Sequence, residues 1–125
     1  MPITEKVTYV HEPTWLQCGQ AVIAMLGNLS VSEVIKIVGT ERETTLKQML
    51  SALDTLKIRY SLEKKAATSK DDLPPICILS LETPKCWHWS LYFEGVFYDP
   101  EYGILDDFPP SNRRYYFEIL KEPTV

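Results

Sequence analysis

Apolar positions recur at helical spacing along the first half of the chain. In the second half they gather into short runs rich in branched and aromatic residues. After Thr14 the run Ala21, Val22, Ile23, Ala24, Met25 and Leu26 continues to Gly27-Asn28. Thr14 and Gln17 have capping-box spacing, Gly-Asn is a stop signal, and a helix apolar on nearly all sides is a buried one. Ser30 with Glu33 repeats the capping pattern ahead of "VSEVIKIV", which Gly39 closes. Thr45 with Gln48 does so again ahead of Leu46, Met49, Leu50, Leu53 and Leu56, one helical face. The segments "KIRYSLEKK", "ICILSLE", "HWSLYF", "VFYDP" and "RRYYFEILKE" then read as strands. Helices first and strands afterwards predict an α+β fold, N-terminal helices packed on a mainly antiparallel sheet.

The pattern within "HWSLYFEGVFYDP" predicts a hairpin. With Glu94-Gly95 as a two-residue turn, Phe93 faces Val96, Tyr92 faces Phe97, Leu91 faces Tyr98 and Ser90 faces Asp99. His88, two positions before Ser90, then projects to the same face as Asp99 and within reach of it. A carboxylate beside an imidazole fixes its tautomer and stabilises its protonated form. The structural alternative is a hydrogen-bonding histidine in an aromatic sheet, with Asp99 capping a turn before Pro100.

Composition narrows the field. The 125 residues, 45% hydrophobic, suit one domain spanning 1–125, and a net charge of -4 with no basic cluster gives no reason to expect nucleic acid as a partner. The N-terminus lacks the features of a signal peptide, and "AVIAML" is far too short to insert in a membrane. The expectation is a soluble, cytoplasmic protein, or one exported without a cleaved signal. The cysteines Cys18, Cys77 and Cys86 are three in number and lack paired spacing, which argues against a disulfide framework or a zinc site; no metal or cofactor is implied. Cys77 reads as a small hydrophobe in a buried strand, and Cys86 as a residue near the surface by the hairpin. Cys18 falls in the first turn or so of the buried helix, where unpaired N–H groups and the helix dipole favour a thiolate. Alone it reads more readily as an inert packed cysteine at a helix end. With His88 and Asp99 it supplies the nucleophile that a base and its orienting acid need.

"CGQAVIAML" from Cys18 and "HWSLYFEGVFYDPEYG" from His88 together resemble the papain-like cysteine peptidases. They are most similar to the bacteriocin-processing peptidase domains that trim leader peptides, and to their stand-alone bacterial relatives. The resemblance spans most of residues 10–105. It implies a papain-like fold, a Cys18-His88-Asp99 triad, a thioester intermediate and a peptide or protein substrate. The family has a glutamine about six residues before the cysteine that helps form the oxyanion hole; here Glu12 stands there, and a carboxylate donates no hydrogen bond unless protonated. Gln17 is the other oxyanion-hole candidate, with helix capping as its structural alternative. Trp87 and Trp89, with Tyr92, Tyr98 and Tyr102, are candidates to line a peptide cleft or else pack the core. His11 reads as a surface residue. Papain-like folds also host deamidases and acyltransferases, and a non-catalytic peptide-binding domain on the same scaffold is a further alternative. Oligomeric state is not legible.

Overall fold

Three helices pack on one face of an antiparallel sheet in the computed structural model, which describes residues 7–120. The helices are α1 (Cys18–Gly27), α2 (Val31–Val38) and α3 (Leu46–Thr55). The strands are β1 (Arg59–Tyr60), β2 (Lys65–Ala66), β3 (Ile76–Glu82), β4 (Trp87–Phe93), β5 (Val96–Asp99), β6 (Gly103–Leu105) and β7 (Arg114–Leu120). Their order across the sheet is β1-β7-β3-β4-β5-β6, with β2 also paired to β7, and each pairing is antiparallel. The α+β expectation holds.

Local chemistry starts α2 and α3 as expected. The side chains of Ser30 and Thr45 accept the backbone N–H of Glu33 and Gln48, whose side chains return the bond, two reciprocal capping boxes. Gly39 (φ 87°) ends α2, and Asn28 (φ 55°) ends α1 in the left-handed conformation that suits such a stop. The Thr14–Gln17 capping box does not form. Gln17 N–H donates to the Thr14 carbonyl and Leu16 N–H to the Thr14 hydroxyl, a free-standing turn, and α1 begins at Cys18 with no side-chain cap. On α3, Met49, Leu53 and Leu56 are buried as the periodicity requires, whereas Leu46 at the first turn is exposed.

The sheet buries both faces. Ile76, Ile78, Leu91, Phe93 and Ile119 meet α1 and its neighbours in one core. The alternating residues Cys77, Leu79, Leu81, Tyr92, Phe97 and Tyr116 form a second cluster on the far side, covered by Leu73, Leu105 and Phe108. Every residue of α1 is buried, which accounts for its lack of a polar face. Two strand expectations need correction. "KIRYSLEKK" is divided into the short β1 and β2, both on the same edge of β7, and β6 was not anticipated at all. Residues 121 and 122 of the last predicted strand lie outside the described residues. Among the described residues no single helix is long and apolar enough to cross a membrane.

Candidate active site

The β4–β5 hairpin has the expected register, with Leu91 opposite Tyr98, Tyr92 opposite Phe97 and Phe93 opposite Val96. Glu94 (φ 46°) and Gly95 (φ 91°) are both left-handed, as a two-residue type I′ turn demands. Beyond the last paired residues, His88 and Asp99 meet on one face. His88 Nε2 lies 2.9 Å from Asp99 Oδ1 and 3.1 Å from Oδ2. The ionised carboxylate only accepts, so Nε2 carries the proton. Nδ1 remains as the ring atom able to exchange a proton with a second partner.

That partner is Cys18. The residue is the first of α1, and its sulfur accepts the Trp89 backbone N–H at 3.4 Å, so the helix start abuts β4 one residue from the histidine. Burial disfavours the imidazolium, but the hydrogen bonds and charges of Asp99 and Cys18 outweigh it and hold the His88 pKa well above the usual histidine value. Asp99 is fully buried, which works against its charge, yet its pKa is lowered by the bond to His88, the charge of His88 and the Tyr102 N–H. Its Oδ1 accepts Glu101 N–H and Tyr102 N–H, both at 2.9 Å, and the Tyr9 hydroxyl donates to its carbonyl at 2.6 Å. The two readings of Asp99, turn cap and partner of His88, are therefore both true.

The α2–α3 loop, residues 40–44, closes the other side of the helix start. Gln20, fully buried, donates to the carbonyls of Thr40 and Arg42 at 2.9 and 2.7 Å, and Trp89 Nε1 donates to that of Thr44 at 3.0 Å. Gln17 neither caps α1 nor lies free, since its side-chain nitrogen donates to the Glu41 carbonyl at 3.0 Å. A Cβ on Gly19 would lie 1.9 Å from the Thr44 hydroxyl, so only glycine lets the loop approach this closely. Between loop and hairpin is a cleft of about 280 Å³ that contains Cys18 and His88 and is walled by Trp15, Trp87 and Trp89, with Glu43, Thr44 and Cys86 on its border. Trp15 and Trp87 are 67% and 49% exposed, unusual for large aromatics that are not covering a core. The two expected cleft tryptophans thus lie beside Cys18. Tyr92 instead packs in the far core and Tyr98 against the near one.

The three cysteines occupy different settings. Cys77 is fully buried in β3, and burial and the charge of Glu118 drive its thiol pKa far up. Cys86 is exposed, with its pKa raised by partial burial and by the charge of Cys18. His11 is exposed as expected.

Glu12 was singled out by position alone, and its surroundings were not foreseen. The residue is 5% exposed, its N–H donates to the Pro100 carbonyl at 2.9 Å, and its Oε1 is buried without a hydrogen-bond partner among the described residues. Burial raises its pKa from 4.5 to about 7; Glu101 and Asp99 add to the rise, and His88 and Lys85 oppose it. Also unforeseen were the places of Tyr9, Trp15, Glu43 and Thr44. All lie in irregular segments, where neither period 2 nor period 3.6 marks a side chain as inward.

A thiol at a helix start, an imidazole with one nitrogen committed to a buried carboxylate, and an open cleft are the groups that nucleophilic acyl transfer requires. The chain matches no protein-family model and no curated protein sequence.

Proposed function

We propose that the chain is a papain-like cysteine peptidase, or a related thiol acyl hydrolase, with Cys18, His88 and Asp99 as its triad. The observation that carries this reading is the fully buried His88–Asp99 pair with the Cys18 sulfur acting on the same ring. Isolated ion pairs are costly to bury and give little stability that apolar packing would not, so the pair calls for a reason beyond folding.

In the reaction the thiolate, held as an ion pair by the imidazolium, attacks an acyl carbon. The carbonyl electron pair moves to oxygen, and His88 protonates the leaving nitrogen as the tetrahedral species collapses to a thioester. Water, deprotonated by His88, then attacks the thioester and frees Cys18. Asp99 keeps the imidazole oriented throughout, and the backbone N–H of Cys18, at the open end of α1, is suited to stabilise the oxyanion. The cleft walled by tryptophans suits an extended peptide better than a small polar metabolite, since exposed aromatic rings offer apolar area and stacking surface.

The test is to incubate the protein with a mixed peptide library and read new amino termini by mass spectrometry beside a Cys18→Ala control. Cleavage confined to the protein with Cys18 is expected. Release of ammonia without new termini would move the reading to a deamidase, and no change dependent on Cys18 would remove the hydrolase reading altogether.

A further inference from the structure

The cleft beside Cys18 holds a second thiol that the proposed reaction leaves unused. Cys86 lies one residue before β4, in the turn from β3, and lines the same cleft of about 280 Å³ as Cys18 and His88. The turn is tied back on itself: Thr83 N–H and hydroxyl donate to the Cys86 carbonyl at 2.9 and 2.8 Å, and Cys86 N–H donates to the Thr83 hydroxyl at 3.3 Å. Those bonds hold Cys86 at the cleft in an exposed position, although free cysteine is among the most buried of residue types. The two thiols are close enough for the charge of Cys18 to raise the Cys86 pKa, and His88 interacts with both. Cys77 is fully buried in β3 and takes no part in the cleft wall.

We propose that Cys86 is a resolving thiol for Cys18: a peroxide oxidises Cys18, and the two sulfurs then join in a disulfide that shuts off the nucleophile reversibly. The proposal rests on Cys18 being the nucleophile. In the first step the Cys18 thiolate attacks one peroxide oxygen, the O–O bond breaks and hydroxide leaves, so the peroxide is reduced by two electrons and Cys18 becomes a sulfenic acid. In the second, the Cys86 sulfur attacks the sulfenic sulfur, the S–O bond breaks, and the departing hydroxide takes the Cys86 proton as water. Electrostatics sets the order. While Cys18 is a thiolate its charge keeps Cys86 protonated; conversion to a neutral sulfenic acid removes that charge, and the influence of His88, which favours the Cys86 thiolate, remains. A disulfide brings its two α-carbons to roughly 4.4–6.8 Å. Pro84, Lys85 and Cys86 are all exposed whereas α1 is buried, so the turn supplies the adjustment. Exchange with an external thiol returns both cysteines to the reduced form.

The test exposes the dilute, folded protein to hydrogen peroxide, blocks the remaining thiols after unfolding, and maps the unreduced peptides by mass spectrometry. The wild type should give a Cys18 peptide joined to a Cys86 peptide within one chain, with Cys77 still free. Alkylation of Cys18 by iodoacetamide in the folded protein should disappear with peroxide and return after dithiothreitol. Cys86→Ser has no resolving thiol, so its Cys18 should be trapped by dimedone as the sulfenic acid and pass on to the sulfinic acid, which dithiothreitol does not reduce. After the same exposure, recovery of Cys18 alkylation should be about tenfold lower in Cys86→Ser than in the wild type.

A wild type in which Cys18 is oxidised with no bond to Cys86, a bond formed only between two molecules or to Cys77, or a Cys86→Ser variant that recovers as fully as wild type overturns the proposal while leaving the Cys18 reading intact. If iodoacetamide fails to modify Cys18 in the untreated protein, the nucleophile reading fails and takes this one with it. Should Cys86→Ser not fold by circular dichroism, the wild-type peptide map decides alone.

Discussion

The β4–β5 hairpin and the segment that leads into α1, residues 7–17, each bring one buried carboxyl to His88, by opposite means. In the hairpin, Asp99 ends a regular strand and is met by an imidazole and two backbone N–H groups. In the lead-in segment, Glu12 lies in irregular backbone with an unpaired oxygen. Hydrogen bonds to the charged form lower one pKa, and burial without them raises the other. The surroundings of one histidine thus move the pKa values of two carboxyls in opposite directions.

The strongest way to break this comparison is to remove the charge on the hairpin side alone. Asp99→Asn retains a side-chain oxygen for the Glu101 and Tyr102 N–H groups but no longer stabilises the imidazolium. Acylation of Cys18 by p-nitrophenyl acetate should fall by roughly 10² to 10⁴, with circular dichroism unchanged. Asp99→Ala is the poorer variant, because it also abandons two buried N–H groups at a cost of about 1–3 kcal/mol each. An acylation profile for Asp99→Asn that overlays wild type would leave a Cys18-His88 dyad and make Asp99 purely a turn residue.

The lead-in segment should show its contrast in stability. The folded Glu12 pKa lies above its unfolded value of 4.5, so the folded state binds this proton more tightly, and stability falls as pH rises from 4.5 to about 7. The full loss is about 3 kcal/mol at 1.36 kcal/mol per pKa unit. Asp99 contributes in the opposite sense, since its depressed pKa gives stability that disappears as pH falls below the ordinary carboxylate range. The raised pKa of His88 gives stability that is complete below pH 6.5 and is lost above it. Urea unfolding of wild type and Glu12→Gln across pH 4.5 to 7 separates these contributions, because the His88 and Asp99 changes are common to both proteins and wild type should lose stability relative to Glu12→Gln through that window. Parallel curves would mean that Glu12 is already ionised when folded.

A smaller effect is expected at the hairpin turn. Gly95 has φ 91° and open space around its α-carbon, so Gly95→Val meets no clash and costs only the left-handed backbone, about 1–2 kcal/mol. Asp99 is held independently by Tyr9, Glu101 and Tyr102, so acylation of the folded protein should remain within a few-fold of wild type. A rate loss far larger than the stability loss would show that the turn itself aligns the pair.

The same contrast explains how much could be read before the structure. Capping boxes at Ser30 and Thr45 and the pairing around Glu94-Gly95 depend on residues a few positions apart, so sequence sufficed for α2, α3 and the hairpin register. The meeting of Cys18 with His88 was legible only as complementary roles, because a separation of seventy residues is closed by packing of α1 on the sheet. Thr14–Gln17 misled because the same spacing serves a turn as well as a cap. Strand β6 is three residues long and half exposed, too short for an alternating pattern to register. The burial of Glu12 was invisible for a different reason: a glutamate in an irregular segment ordinarily faces water.

The most direct measurement is the order in which the three thiols react with iodoacetamide in the folded protein near neutral pH. Exposure alone favours Cys86, since Cys18 is only 8% exposed and Cys77 is fully buried. A nucleophile held at a helix start beside an imidazolium should reverse that order, with Cys18 modified well ahead of Cys86, Cys77 last, and the advantage of Cys18 lost in His88→Ala. Cys86 reacting first, or Cys18 reacting equally fast without His88, would contradict the triad.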